Sequence, residues 1–435
     1  MRREACRRVT LKRMSAYQFA IIDPGHFHAA LVQKEMYPDV SPRVHVYAPL
    51  GPDLLDYLTR ISRFNRRAAN PTRWELEVHT SADFLTRMTA DRAGNIAVFS
   101  GRNRGKIDKI LAAVEAGFHV LADKPWIIRS EDLPVLEKTL ALAARKGLIA
   151  YDIMTERYEI TSILQRELVN TPSVFGRQEP GSADEPGVVM ESVHHILKTV
   201  AGLPNPRPAW FFDVLEQGEA LVDVGTHLVD LVQWTLFPGQ AVEARADVRL
   251  HTASRWPTVV SPEQFRAVTG EARGSSLDCY CNTRATYQAR GVFVRLDVLW
   301  NWEAAAGAGD THLALYRGTR SRLEIRQGEA ERYRPELYVV PASSEVRAAL
   351  DRRVRELQAG YPGIGVEDQG GECLVTIPDH YRVGHEAHFA QVTNQFLEYV
   401  KRPDQMPAWE TPCMLAKYYT TTAGVDLSHA LKQAK

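Results

Sequence analysis

Apolar and polar positions change rhythm along the chain. From Gln18 to about Tyr151, short apolar runs alternate with longer stretches of helical period. "FAII", "RVHVYA", "WELEVHT", "NIAVFS", "FHVLA" and "LIAYDIM" predict strands. Between them, "HFHAALVQKEMY", "RGKIDKILAAVEAG" and "SEDLPVLEKTLALAARKG" predict helices; Ser130 is a cap candidate, and Gly117 and Gly147 are stops. Strands alternating with helices need parallel crossovers, so this half predicts a doubly wound α/β domain. After about residue 155, strand-like runs follow one another: "GVVMESV", "AVEARADVRL", "CYCNTRATYQ", "VFVRLDVLW", "HLALYRG" and "SRLEIRQG". Few helices separate them, which predicts an open, mainly antiparallel sheet. The chain closes on two helical stretches, "GHEAHFAQVTNQFLEYVKR" and "PCMLAKYYTTTAGVDLSHALKQA".

The boundaries that follow are a basic extension at 1–16, expected to be disordered, a first α/β domain at 17–154, a second domain at 155–378 and a helical segment at 379–435. "MRREACRRVTLKRMSAY" lacks the apolar core of a secretory signal, so Met14 competes with Met1 as the start. A cytoplasmic protein is expected, with twin-arginine export as a minor alternative. Composition adds little: 435 residues, 45% hydrophobic, with 53 basic and 53 acidic side chains. That balance gives no pull towards nucleic acid or a membrane surface. No apolar run approaches the roughly 20 residues of a spanning helix. The five cysteines form no zinc-type CxxC pair, so a reduced compartment is the default.

Candidate chemistry starts at "FAIIDPGHFHAAL", the strand, turn and helix of a nucleotide-binding start. Of three glycines expected in such a turn, only Gly25 remains; Asp23 and His28 take the other two places. Gly25, His26 and Phe27 are the candidate cofactor contacts, although His26 and His28 also read simply as residues at a helix start. The ribose-binding acid expected after the second strand is missing, since "VYAPLG" offers Tyr47 and Ala48 there. Lys124, in "LADKPWI", lies beyond the carboxyl end of a parallel strand, where such sheets bind ligands. Pro125 pushes it towards extended backbone. In "GEALVDVGTHLVDLVQWTLF", Asp223, His227 and Asp230 fall on one stripe of an otherwise apolar helix. Burying such groups is costly unless they are paired or meet a ligand. "ESVHHIL" puts His194 and His195 on opposite faces of a strand, and "MTERYEI" places Arg157 at a strand exit.

"AAVEAGFHVLADKPWI" and "GEALVDVGTHLVDLVQW", in this order and these domains, resemble the Gfo/Idh/MocA oxidoreductases. Asp123 stands where that family has Glu, and "SGRNR" replaces its Thr-Pro-Asn loop. The resemblance implies a Rossmann domain followed by an open-sheet domain. It implies NAD or NADP as cofactor, held by Gly25, His26, Phe27, Ser100, Arg102, Asn103 and Lys124. It further implies hydride transfer at a secondary alcohol of a sugar, glycoside or cyclitol. His227 would be the general base and Lys124 the alkoxide partner, with Asp223 orienting substrate or helping the proton transfer. Arg157, His195, Asp223 and His227 are the expected substrate contacts. A homo-oligomer, dimer or tetramer, formed through the open sheet is implied as well. Three alternatives stay open. One is a redox-neutral, NAD-dependent cleavage of glycosides. Another is a metal-dependent lyase or hydrolase built on Asp223, His227, Asp230 and a histidine from 194–195. The third is a sugar-binding protein without cofactor.

Overall fold

A computed structural model describes residues 16–200, 203–204 and 206–433. Most of the basic extension, with the choice between Met1 and Met14, lies outside the described residues. The first sheet is parallel, ordered β3-β2-β1-β4-β5-β6. Its strands are β1 (Phe19–Ile22), β2 (Arg43–Ala48), β3 (Glu75–Thr80), β4 (Ile96–Phe99), β5 (His119–Asp123) and β6 (Ala150–Ile153). The order reverses between β1 and β4, and the crevice at such a switch is where doubly wound sheets take ligands. Both sheet faces are covered, which explains why the strands read as unbroken apolar runs. Phe19 and Ile21 pack under helices Pro52–Arg66 and His385–Lys401. Ala20 and Ile22 point the other way, towards Lys106–Ala116 and Leu133–Arg145. Gly117 ends its helix with φ +95°, a left-handed stop that glycine adopts without cost.

The second sheet has nine strands, ordered β10-β11-β12-β7-β13-β14-β15-β17-β16. They are β7 (Val188–Leu197), β10 (Val248–Val260), β11 (Leu277–Ala289), β12 (Val292–Glu303), β13 (Thr311–Arg317), β14 (Ser321–Gln327), β15 (Glu336–Pro341), β16 (Gly365–Asp368) and β17 (Cys373–Thr376). Only β7 and β12 pair in parallel; the other pairings are antiparallel. A short antiparallel pair, β8 (Thr199–Val200) and β9 (Leu203–Pro204), follows β7. One local expectation fails: "AVEARADVRL" is not all strand, because Ala244–Asp247 makes a helical turn before β10 begins. Helices Ile160–Val169 and Gly225–Leu236 cover the sheet's inner face.

The C-terminal helices do not stand apart. His385–Lys401 puts Phe389, Val392 and Phe396 into the first domain's core. Glu410–Gln433 serves both domains, with Cys413 and Ala416 in the second core and Met414 and Tyr418 in the first. No described helix is long and apolar enough to cross a membrane.

Candidate active site

The carboxyl ends of β1, β4 and β5 face the inner side of the second sheet across a cavity of about 450 Å³. That is within the roughly 300–1,000 Å³ of small-molecule sites. Lys124 stands at the exit of β5, joined to Pro125 by a cis peptide bond. Its Nζ donates to Asp223 Oδ1 at 2.7 Å and to the Asp223 carbonyl at 3.0 Å. The pair crosses the domain boundary, with side chains only 9% and 13% exposed. Burial works to raise the Asp223 carboxyl, but the Lys124 charge and hydrogen bond carry it below the usual range. His227 follows one turn later on the same wall. Burial, reinforced by the Lys124 ammonium, pushes its imidazole down to about 4, so it is neutral at ordinary pH. Its buried Nδ1 has no hydrogen-bond partner.

The third member of the polar stripe goes elsewhere. Asp230 accepts a bidentate pair from Arg157, Nε at 2.6 Å and Nη2 at 2.7 Å, and a further bond from Lys417 Nζ at 2.9 Å. Arg157 also reaches Glu410 at 2.9 Å, and Lys417 reaches Asp152 at 2.7 Å. This network is buried and lies off the cavity wall, so the guanidinium expected to bind substrate is spent on protein carboxylates. The metal set of Asp223, His227, Asp230 and a β7 histidine is therefore not assembled. On β7 the alternation is as expected, but the roles exchange. His194 lies on the cavity wall, stacked on Trp300 at 4.8 Å and 3.3 Å from Asp310, whereas His195 is off the wall and reaches the other Asp310 oxygen at 3.0 Å.

The turn after β1 departs most from expectation. The N–H groups of Gly25 and His26 both donate to the Ser100 carbonyl at 3.1 Å. A methyl group built on Gly25 would lie 3.0 Å from Asp53 Oδ2 and 3.5 Å from the Trp210 ring. Trp210 Nε1 donates to that carboxylate at 3.1 Å, and Arg102 packs over the Trp210 ring while pairing with Asp53 at 3.6 Å. Asp23 takes φ +48° and binds Lys109. The helix behind the turn is only His28–Val32. Pyrophosphate approach needs an open glycine face and free N–H donors. Here the Asp53 carboxylate stands against that face, and the Gly25 and His26 donors are engaged. The cavity also stops at Phe27 and Gly101 without reaching the end of β2, where the adenosine ribose would lie. With Asp53 and Trp210 so placed, the turn is narrower than a dinucleotide in the Rossmann pose requires. Ser100 and Arg102 serve this closure, and Asn103 binds Gln217 and Lys106.

A second group meets the cavity beside Lys124. One oxygen of Asp123 lies 2.9 Å from His28 Nδ1, 3.5 Å from His26 Nδ1 and 3.0 Å from Ser100 Oγ. Burial holds both imidazoles below their usual pKa, and their proximity keeps Asp123 anionic in spite of its own burial. Lys106 Nζ ties the same corner from below, donating to the carbonyls of Asp123 and Pro125, each at 3.0 Å. Burial lowers this ammonium to about 8. Sequence reasoning gave Asp123 and His28 no role in the site and took His195 rather than His194 as the substrate contact; the spacing His-x-His at 26–28 was the available signal for two members of the cluster.

Residues 164–429 match the family model described as "Putative oxidoreductase C terminal domain". A solved "putative oxidoreductase" of Parabacteroides merdae is similar at 46% identity, with 96% of this chain and 98% of that one covered and a TM-score of 0.93. Levoglucosan dehydrogenase, solved with NADH and levoglucosan, is 14% identical with a TM-score of 0.61, covering 95% of this chain and 97% of its own. The 3-ketoreductase KijD10 of Actinomadura kijaniata, solved with NADP, is 16% identical with a TM-score of 0.57, covering 94% and 96%. At such identities these two share the fold. No curated protein matches the chain significantly. With the domain model spanning more than half its length, and the Rossmann and open-sheet layers in their expected order, the chain belongs to the Gfo/Idh/MocA-like oxidoreductases.

Proposed function

We propose that the protein acts on a sugar- or cyclitol-sized polyol, at a secondary alcohol or the ketone derived from it, with Lys124, Asp223 and His227 handling the protons. One observation carries this reading: the Lys124–Asp223 pair stands on the same cavity wall as a neutral His227 whose buried nitrogen has no partner. A neutral, unpaired imidazole is able to take a proton from a hydroxyl or from carbon beside a ketone. The ammonium supplies positive charge for the oxyanion that develops, and Asp223 fixes its position. The wall also offers Ser192, His194, Thr311 and Gln327, donors and acceptors suited to a ligand rich in hydroxyls.

Two reactions use this trio. In hydride transfer, the reaction expected from the family resemblance, NAD or NADP would accept the carbinol hydride. In a redox-neutral reaction that needs no nicotinamide, distinct from the NAD-dependent cleavage named as an alternative above, a proton leaves the carbon beside a ketone, and the electron pair either takes a proton back or expels a leaving group from the next carbon. The closed turn around Gly25 favours the redox-neutral reaction, and it is the leading reading. A homo-oligomer through the second sheet's outward face belongs to the same proposal.

The test is to incubate the protein with a panel of sugars and keto-sugars in deuterated water. Deuterium should enter the carbon beside the ketone with no change in nicotinamide absorbance. Stoichiometric nucleotide released on denaturation, with NAD(P)H formed from a free sugar, would restore hydride transfer.

A further inference from the structure

The trio above leaves His26, His28 and Asp123 without a task, although they occupy the sheet's switch point. We propose that His26 Nδ1, His28 Nδ1 and Asp123 Oδ2 bind a divalent first-row transition cation, where a dinucleotide-binding relative would present its cofactor. The proposal rests on the donor geometry and on the redox-neutral reading above, since a cation and a nicotinamide cannot share this corner.

The spacing comes first. These three atoms lie within 4.8 Å of one another, with both nitrogens measured to the same oxygen at 2.9 and 3.5 Å. Metal–ligand bonds of about 2.0–2.2 Å place neighbouring ligand atoms roughly 2.9–3.5 Å apart, from octahedral to tetrahedral geometry. The two nitrogen–oxygen separations are therefore those a cation would impose. His26 Nδ1 is buried and makes no hydrogen bond, so a donor atom is left facing the others.

Two imidazoles and one carboxylate form a donor set that suits Zn²⁺, Fe²⁺ or Mn²⁺ and leaves coordination positions open. Those positions face the cavity, since His26, His28 and Asp123 all line it. The neighbouring ammoniums do not compete for the carboxylate. Lys106 Nζ is directed at the Asp123 backbone carbonyl, and Lys124 Nζ at Asp223. Supporting contacts fix the ligands: Ser100 Oγ donates to the Asp123 oxygen at 3.0 Å, and Phe389 packs on the His28 ring at 4.6 Å. A bound cation would polarise a substrate oxygen on the wall opposite the second domain's His227.

His45, Glu77 and His79 form a comparable cluster on β2 and β3, but it lies off the cavity and Glu77 is 53% exposed. It serves as the internal control. The full-length protein is stripped with chelator, loaded with Zn²⁺ or Mn²⁺, desalted and analysed by plasma mass spectrometry. About one equivalent per chain should remain. That equivalent should be lost in His26→Ala and Asp123→Asn, and kept in His79→Ala and in Lys124→Met. Co²⁺ loading should give visible ligand-field bands that vanish in His26→Ala. Circular dichroism checks folding. His26→Ala decides the matter if Asp123→Asn fails to fold, because His26 Nδ1 has no hydrogen bond to lose. Retention of no metal, or of the same equivalent in His26→Ala, would mean a His28–Asp123 hydrogen bond only and overturn the proposal. Deuterium exchange in the substrate, with no metal bound, would sink this inference while leaving the acid–base reading intact.

Discussion

Lys124 and Asp223 meet at 2.7 Å across the boundary between two domains, one residue just past the end of a parallel strand and the other closing the helical turn Ala220–Asp223. Neither charge is well solvated, so each depends on the other. Lys124→Met should leave the fold intact by circular dichroism and cut turnover of a responding sugar by roughly 10²–10³. It should also strand a buried carboxylate. Denaturant titration should then find Lys124→Met less stable than the double variant Lys124→Met/Asp223→Asn, where neither charge remains. Equal stability of the two would remove the pair from the argument.

The His227 imidazole, held at about 4 by burial and by Lys124, makes a pH prediction with a definite sign. Its unfolded value is about 6.5. Between these values the unfolded chain carries the proton and the native state does not. Stability therefore rises with pH across the window and is lost as pH falls from about 6.5 towards 4, on the order of 3 kcal/mol in all. His227→Gln should flatten that part of the stability profile. Activity that needs a neutral His227 should persist to about pH 5 before falling.

Arg157 makes a contrasting prediction. Its guanidinium is shared between Asp230 and Glu410 in a buried network. Removing one partner leaves unpaired buried charge, so Arg157→Leu should cost about 3–5 kcal/mol in denaturant titration. Arg157→Lys should recover little, because a single ammonium cannot reproduce the bidentate grip on Asp230. KM measured on the folded fraction should not move; a selective rise in KM would return Arg157 to the substrate.

Gly101 and Gly25 should separate in the same assay. A methyl group at Gly101 would lie 2.3 Å from the Asp23 carbonyl, which is backbone and cannot swing aside. At Gly25 the nearest atom, at 3.0 Å, is the tip of the Asp53 side chain. Gly101→Ala should therefore destabilise by about 1–3 kcal/mol, while Gly25→Ala should be nearly neutral. A dinucleotide-binding turn would give the opposite order in cofactor affinity.

The layers were legible because strand and helix periods are local properties. β1 to β6 are buried on both faces and announce themselves as apolar runs; β7 and β10 to β14 follow from strands with few helices between them. Lys124, Asp223 and His227 were legible because polar groups are costly on apolar elements. The fate of Asp230 was not, since its partners Arg157 and Lys417 lie 73 and 187 residues away. The same holds for the turn at Gly25. One glycine in place of three raised the question, but Asp53 and Trp210 closed it from distant positions. His-x-His at 26–28 was visible as spacing, and only Asp123 beside it made the spacing chemical.

The helix Glu410–Gln433 bears on how the cavity opens. Lys417 binds Asp152 of the first domain and Asp230 of the second, and Tyr418 Oη donates to Asp152 at 3.0 Å. A hinge between the two layers would have to pull this clasp from a buried, charged socket. The cavity thus has nearly fixed walls, so substrate selection falls to the width of its mouth rather than to closure around the ligand.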